Sequence, residues 1–440
     1  MRLRVLESQW TPFAKALCAR QDVETAGIML AERVAADLVL VRDVALIPEA
    51  GYTIRRPDHI RIDPVALNRL IRPARDRGLS IFTIHTHPGS REPWFSEADD
   101  IGDSVLMPSL FAQTDGPHGS LVIAGDTFIP VARASMQPGA SIGVDVQIVG
   151  QTLRVVSGNR SEHQHEWFDR QRLALGEHGQ QVLRRLHVGV CGAGGTGSIT
   201  FAQLVHLGVG EITVIDGDPV ESSNVSRIIG ATVADIGVTA KVDVLARYAQ
   251  STGLGTKVNA IRGRFGAEVP VSALERCDAI FSCVDRHAPR ALLNRLSYSK
   301  AILLFDMGSA FRVDEDGRIV GSGGRVVVTG PGRPCLACWG HIDPNRIRIE
   351  SLPPEERARE AADGYIAGAD VPQPSVIAFN TQIAGMAVVE FLRAVTRFAG
   401  ADDPPLRLAV DFEGGTVRRN GLAGARACSI CGAVLANREP

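Results

Sequence analysis

Apolar and polar positions follow two rhythms along the chain. Up to about Val156 the pattern predicts strands and helices in mixed order. DLVLVRDVALIP (37–48) alternates as a strand does, DPVALNRLIRPARDRG (63–78) has helical spacing and a glycine stop, and LSIFTIHTHP (79–88) is an apolar strand. The stretch SGNRSEHQHEWFDRQ (157–171) is polar, poor in aliphatic residues, and reads as a linker. Beyond it, LHVGVCGAGG (186–195) is a buried strand running into a glycine turn. SITFAQLVHLG (198–208) is a helix and EITVIDGD (211–218) the next strand. That is a β-α-β unit, and a parallel sheet follows from it. A further strand-like run, CDAIFSCVD (277–285), also ends in aspartate. No internal repeat or low-complexity tract interrupts the pattern.

At 440 residues the chain is too long for one ordinary domain. The change of rhythm divides it into residues 1–157 and 158–440. A composition of 45% hydrophobic and 22% charged residues is that of a globular protein, and a formal charge of −2 argues against nucleic-acid binding through bulk positive charge. The opening MRLRVLESQWTPFAKALCARQD breaks every apolar run with a polar residue, so no signal peptide is read, and no stretch is long enough to span a bilayer. A cytoplasmic protein without membrane or nucleic-acid partners is expected. Four of the eight cysteines form two pairs, CLAC (Cys335, Cys338) and CSIC (Cys428, Cys431). In a reducing compartment such pairs favour zinc, with a redox dithiol as the minor alternative.

The candidate chemistry begins at SIFTIHTHPGSREPWFSEADD (80–100). On a strand, His85 and His87 project to the same face. Ser96 and Asp99 are neighbours if SEADD opens a helix. Two imidazoles and one carboxylate leave a tetrahedral zinc one open position, as catalytic sites do. Taken alone, S-E-A-D is more commonly a helix N-cap. Together, H-x-H-P followed by S-x-x-D resembles the JAMM (JAB/MPN) metalloprotease motif, here with eight rather than seven residues between His87 and Ser96. The resemblance covers about the first 150 residues. It implies that His85, His87 and Asp99 bind zinc and that Glu24, in VETAGIML, takes a proton from water on the metal. It also implies that Ser96 donates a hydrogen bond to the developing oxyanion.

GAGGTG fits G-x-G-x-x-G between a strand and a helix, with Gly192, Gly194, Gly195 and Gly197 letting the backbone approach a phosphate. Asp216 ends the next strand, where an acid binds a ribose hydroxyl. The loop alone fits NAD or ATP, and a dehydrogenase is the rival reading. DGDPVESSNVSRIIG (216–230) with VTAKVDVLA (238–246) resembles the ThiF/MoeB family, the adenylation domain shared with ubiquitin-activating enzymes. Its D-x-D, N-x-x-R and helix lysine are matched by Asp216, Asp218, Asn224, Arg227 and Lys241. FDRQ resembles the family's R-Q element, which implies that Arg170 reaches the ATP phosphates of a neighbouring subunit in a homodimer. Asp285, at a strand end, would hold magnesium by the same resemblance. A helix N-cap before HAPRALLN is the plain alternative. The two C-x-x-C pairs would close a structural zinc site of four thiolates.

The family's thioester cysteine has no counterpart, since no cysteine lies between Cys338 and Cys428. That region offers only Ser351 and Ser375, and Cys191 and Cys283 read as structural. The fold expected is α/β: a mixed-sheet JAB/MPN domain followed by a Rossmann-like ThiF adenylation domain with a four-cysteine zinc site. The resemblances imply a bifunctional enzyme using ATP, Mg²⁺ and two Zn²⁺, one catalytic and one structural. It would activate the C-terminus of a ubiquitin-like protein and cleave after it, with a conjugating-enzyme-like protein as a further partner. Activation of a sulfur-carrier protein is the rival within enzymes. A JAMM half that only docks the partner is the rival of another class.

Overall fold

The run LSIFTIHTHP forms a strand, Ser80–Thr86, because both of its faces find apolar cover. Alternate side chains divide between two clusters. Phe82 and Ile84 join Trp10, Phe13 and Leu17 of helix Glu7–Leu17, whereas Ile81 joins Ile71, Met107 and Leu110 of helices Pro64–Arg77 and Glu97–Phe111. By that period of two, His85 and His87 follow Ile81 toward the face that carries helix Glu97–Phe111. In this computed structural model, residues 1–124, 128–156, 165–314, 316, 318–363, 374–398, 400, 407–422 and 427–432 are described. They fall into two units, Met1–His163 and Gln164–Pro440. The 157/158 boundary and the start of the polar linker lie outside the described residues.

The first unit is built on a nine-stranded mixed sheet with strand Ala26–Ala35 at its middle. That strand pairs antiparallel with Ser80–Thr86, Ala26 facing His85, and the latter pairs parallel with His118–Ala124. Helix Pro64–Arg77 starts and stops where the sequence implies. The Asp63 side chain accepts from the Val65 amide at 3.0 Å, and Gly78 closes the helix at φ 64°.

The second unit holds an eight-stranded sheet. Five strands run parallel, in the order Lys257–Arg262, Glu211–Asp216, His187–Cys191, Ala279–Ser282 and Leu303–Val313. Antiparallel strands Ile319–Thr329, Arg407–Asp411 and Thr416–Asn420 extend one edge. The chain winds outward from His187–Cys191 to one side and then returns to the other. The order therefore reverses beside this strand, and the carboxyl ends at such a reversal are where open α/β sheets take their ligands. The linker reading extends too far. Glu166–Phe168 is a 3-10 turn and Asp169–Arg185 a helix, since Phe168 is buried and would meet any side chain placed at Gly208. Among the described residues no helix is long and apolar enough to cross a membrane.

Candidate functional site

Strand pairing brings the segment of Glu24 beside the histidines, since Ala26 lies opposite His85. Nε2 of His85 stands 2.9 Å from Asp99 Oδ1 and 3.2 Å from Nε2 of His87. His87 Nε2 is 3.5 Å from Asp99 Oδ2 and 4.0 Å from Glu24 Oε1. Nitrogen and oxygen ligands about 2.0–2.1 Å from a tetrahedral zinc are separated by about 3.3 Å, so these three donors fit one. Burial pushes the Glu24 carboxyl up to about 7, with His85 and His87 pulling the other way. Burial also works against ionisation of Asp99, but hydrogen bonds from His85 and His87 outweigh it and hold the group well below the usual range.

Ser96 and Asp99 form a capping box at the start of helix Glu97–Phe111. The Asp99 amide donates to Ser96 Oγ at 3.2 Å, while the Ser96 amide and hydroxyl donate to Asp99 Oδ2 at 2.7 and 2.8 Å. The plain capping reading and the ligand reading therefore both describe this pair. One carboxylate oxygen serves the helix and the other faces His85. The Ser96 hydroxyl is committed to Asp99 here. Arg55 tethers the Glu24 segment, donating to the Glu24 carbonyl at 3.0 Å and to Thr25 Oγ1 at 2.8 Å. Trp94 sets its edge against the His87 ring, centroids 5.3 Å apart.

In the second unit the glycine loop leaves strand His187–Cys191 and opens helix Gly195–His206. Gly192 has φ 96°, and a Cβ at Gly197 would fall 1.8 Å from the Gly192 carbonyl oxygen, so neither position accepts another residue. Asp216 Oδ2 accepts from the Ala193 amide at 2.7 Å, and Oδ1 from the Asp218 amide at 2.9 Å. Lys241 Nζ lies 2.8 Å from Asp218 Oδ2 and 3.9 Å from Asp216 Oδ1. Burial raises the Asp216 carboxyl, with Lys241 opposing. Asn224 is buried, its carbonyl accepts from the Arg227 amide at 3.0 Å, and Arg227 Nη1 donates to the Ser223 carbonyl at 2.8 Å. Arg170 is exposed at the start of helix Asp169–Arg185 and makes no hydrogen bond or ion pair with a described residue.

Asp285 is not an N-cap. Arg286 holds that position in helix His287–Ser299, and the His287 and Ala288 amides donate to the two carboxylate oxygens of Glu350, each at 2.8 Å. Glu350 arrives from helix Pro344–Ser351 and supplies the negative charge the helix start attracts. Asp285 is left exposed, just past the end of strand Ala279–Ser282, with no hydrogen bond to a described residue.

The four paired cysteines meet as one group, with Sγ separations of 3.8 Å (Cys335–Cys338), 3.7 Å (Cys335–Cys428) and 3.6 Å (Cys338–Cys431). Sulfurs about 2.3 Å from a tetrahedral zinc are spaced by about 3.8 Å, whereas a disulfide needs about 2.05 Å. The four sulfurs fit one ion, and no two of them are joined as a disulfide. Burial pushes up the Cys283 thiol to about 12 and raises that of Cys191 as well, so neither is a ready nucleophile.

Sequence models of two families match the chain: the ThiF family over residues 168–420, and prokaryotic homologs of the JAB domain over residues 7–137. The first match takes in more than half of the chain. The chain belongs to the ThiF family. Its N-terminal unit is a JAB domain fused to the ThiF domain. Relatives include the adenylyltransferase and sulfurtransferase uba4 of Aspergillus niger, 30% identical over 197 residues, which are 44% of this chain and 38% of that protein. Another is the adenylyltransferase and sulfurtransferase MOCS3 of Culex quinquefasciatus, 30% identical over 198 residues, 44% of this chain and 40% of that protein. The chain thus spans well under half the length of these relatives. Among solved structures, Escherichia coli MccB with MccA-N7isoASN gives a TM-score of 0.48 at 16% identity, covering 62% of this chain and 76% of that one. The complex of MccB with ATP gives 0.46 at 17% identity, covering 62% and 76%.

Within the ThiF domain, the sequence hides Glu350. It lies 65 residues after Asp285 on a helix that carries no motif, so no local signal ties it to the helix it caps. Arg55 in the JAB domain is hidden in the same way, as an ordinary basic residue at the end of the short strand Tyr52–Arg55.

Proposed function

We propose that the ThiF domain, residues 158–440, adenylates the C-terminal carboxylate of a small ubiquitin-like or peptide partner. The JAB domain, residues 1–157, then hydrolyses a peptide or isopeptide bond at that terminus. One observation carries the adenylation reading: Asp216, Asp218 and Lys241 converge behind the glycine loop while Asp285 stands uncommitted at the neighbouring strand end. A carboxylate oxygen attacks the α-phosphorus of ATP, the bond to the β-phosphate oxygen breaks, and pyrophosphate leaves. Lys241 and Arg227 offset the charge that spreads over the phosphates, and the glycine-loop amides orient them. Asp285 would hold magnesium, which neutralises phosphate charge when bound. Arg170 would reach a site across a homodimer.

In the JAB domain, His85, His87 and Asp99 would hold zinc, whose Lewis acidity polarises a carbonyl and makes water nucleophilic near neutral pH. Glu24, buried and near neutrality, accepts the proton of the attacking water and passes it to the leaving amine. The four cysteines would bind a second zinc that ties Cys335 and Cys338 to Cys428 and Cys431. The relatives' sulfurtransferase names favour a second reading, in which the adenylated partner is a sulfur-carrier protein whose acyl-adenylate is passed to a sulfur donor with release of AMP.

Two assays test these halves. Glu24→Gln lowers cleavage of a partner-protein fusion by on the order of 10²–10⁴-fold and leaves partner binding intact. An unmodified protein that binds its partner but cleaves no fusion would leave the JAB domain a docking module. Asp285→Ala abolishes partner-dependent exchange of pyrophosphate into ATP; exchange that persists in this variant removes Asp285 from the magnesium site, and an unmodified protein that shows no partner-dependent exchange removes the adenylation reading.

A further inference from the structure

Helix Ile377–Thr396 buries Ile383, Ala384, Ala387 and Phe391, yet one turn from its start it also buries Asn380, only 2% exposed. A buried amide is costly unless its hydrogen bonds are made. Asn380 makes one: Nδ2 donates to Ser375 Oγ at 3.0 Å. Its second N–H and its carbonyl oxygen have no hydrogen-bond partner among the described residues.

The place where this amide sits is what gives it a use. A Cβ built on Gly195 would fall 2.4 Å from Asn380 Nδ2, and 3.2 and 3.4 Å from Arg227 Cδ and Cγ. Asn380 and Arg227 therefore flank the first turn of helix Gly195–His206, on the side that only glycine leaves open. A Cβ at Gly194, the preceding residue, would meet nothing within 4 Å, so the loop has open space beside this polar pair. The helix start offers unpaired amides and a positive end, which together favour an anion.

We infer that Asn380, seated by Ser375, is a phosphate-contacting residue of the nucleotide site, donating its free N–H to the nucleotide where the phosphates meet the first turn of helix Gly195–His206. This rests on the adenylation reading and deepens it. The site is completed by a residue 185 positions beyond the loop, so the C-terminal helix is part of the nucleotide cradle and not only its packing partner. Ser375 accepts from Asn380 and retains its own hydroxyl proton, which gives the pair a second donor.

The test uses the full zinc-loaded chain, with Mg-ATP affinity measured by calorimetry and adenosine affinity by competition. Asn380→Ala weakens Mg-ATP by about tenfold or more, the loss of one hydrogen bond to a charged group, and leaves adenosine unchanged. Asn380→Asp, of the same shape but anionic, weakens Mg-ATP further and again spares adenosine. Ser375→Ala, at the half-buried start of the helix, weakens Mg-ATP several-fold without moving the melting midpoint, and it serves if the Asn380 variants do not fold. Parallel loss of both ligands, or no loss in any folded variant, makes Asn380 a packing residue and overturns the inference alone. An unmodified protein that binds no Mg-ATP overturns the adenylation reading along with it.

Discussion

In the JAB domain, three donors meet beside a buried carboxyl held near neutrality. In the ThiF domain, four thiols meet beside Tyr298, whose hydroxyl donates to the Arg333 carbonyl at 2.8 Å and accepts from the Gly330 amide at 3.2 Å. Burial drives that phenol far above its usual range, so it moves no proton near neutral pH. On the proposed reading the first cluster would leave an ion a free position with Glu24 next to it as a base, and the second would use every position of its ion. A missing fourth ligand beside a group able to titrate separates a site that does chemistry from one that holds the chain together.

The largest expected effect that would break this contrast lies on the cysteine side. Replacing Cys335 and Cys338 by serine removes about one zinc per chain and unfolds the ThiF domain at temperatures where the unmodified protein is intact, because binding energy at a closed site is folding energy. Metal analysis with thermal unfolding checks it, and an unchanged midpoint would mean that the cysteines do not brace the fold. Next comes His85→Ala with His87→Ala. Zinc falls from about two ions to about one while the fold persists, since an open three-ligand site contributes less to folding. A variant that keeps all its zinc would sink the histidine site. The smallest effect sharpens the comparison from outside both clusters. Glu350→Ala costs about 1 kcal/mol, as other lost helix caps do, and lowers the midpoint by about 2–4 °C with both zinc ions retained. Pyrophosphate exchange in this variant falls by more than that stability loss explains, because Asp285 is then free to turn back onto the His287 and Ala288 amides. Equal exchange in the two proteins would show that Asp285 does not depend on Glu350.

What the chain makes legible is local. The glycine loop and Asp216 lie within one β-α-β unit and Lys241 opens the helix that follows it, so spacing alone places them at one end of a sheet. Cysteine pairing points to metal, and the sulfur spacing agrees. Glu24 is of another kind. It lies 61 residues before His85, is joined to it by the Ala26–His85 register, and is singled out only by a family resemblance. A cap is the plain alternative for Asp285 because caps are usually local in sequence, and the cap comes instead from Glu350, 65 residues later. Asn380 gives no sign, since an asparagine in an apolar helix reads as a fault in the pattern until the partner helix is in place. SEADD leaves two readings open for a physical reason: a carboxylate has two oxygens, and Asp99 uses each differently.

That division of labour couples two distinct events. The oxygen of Asp99 that ties down the Ser96 amide and the one that faces His85 belong to a single rigid group, so the first turn of helix Glu97–Phe111 cannot fray without swinging a ligand away. If Asp99 holds zinc as proposed, ion release and helix fraying would become one equilibrium, each setting the lifetime of the other. The amides of Glu97 through Asp100 would then report metal occupancy through hydrogen exchange, with no substrate present.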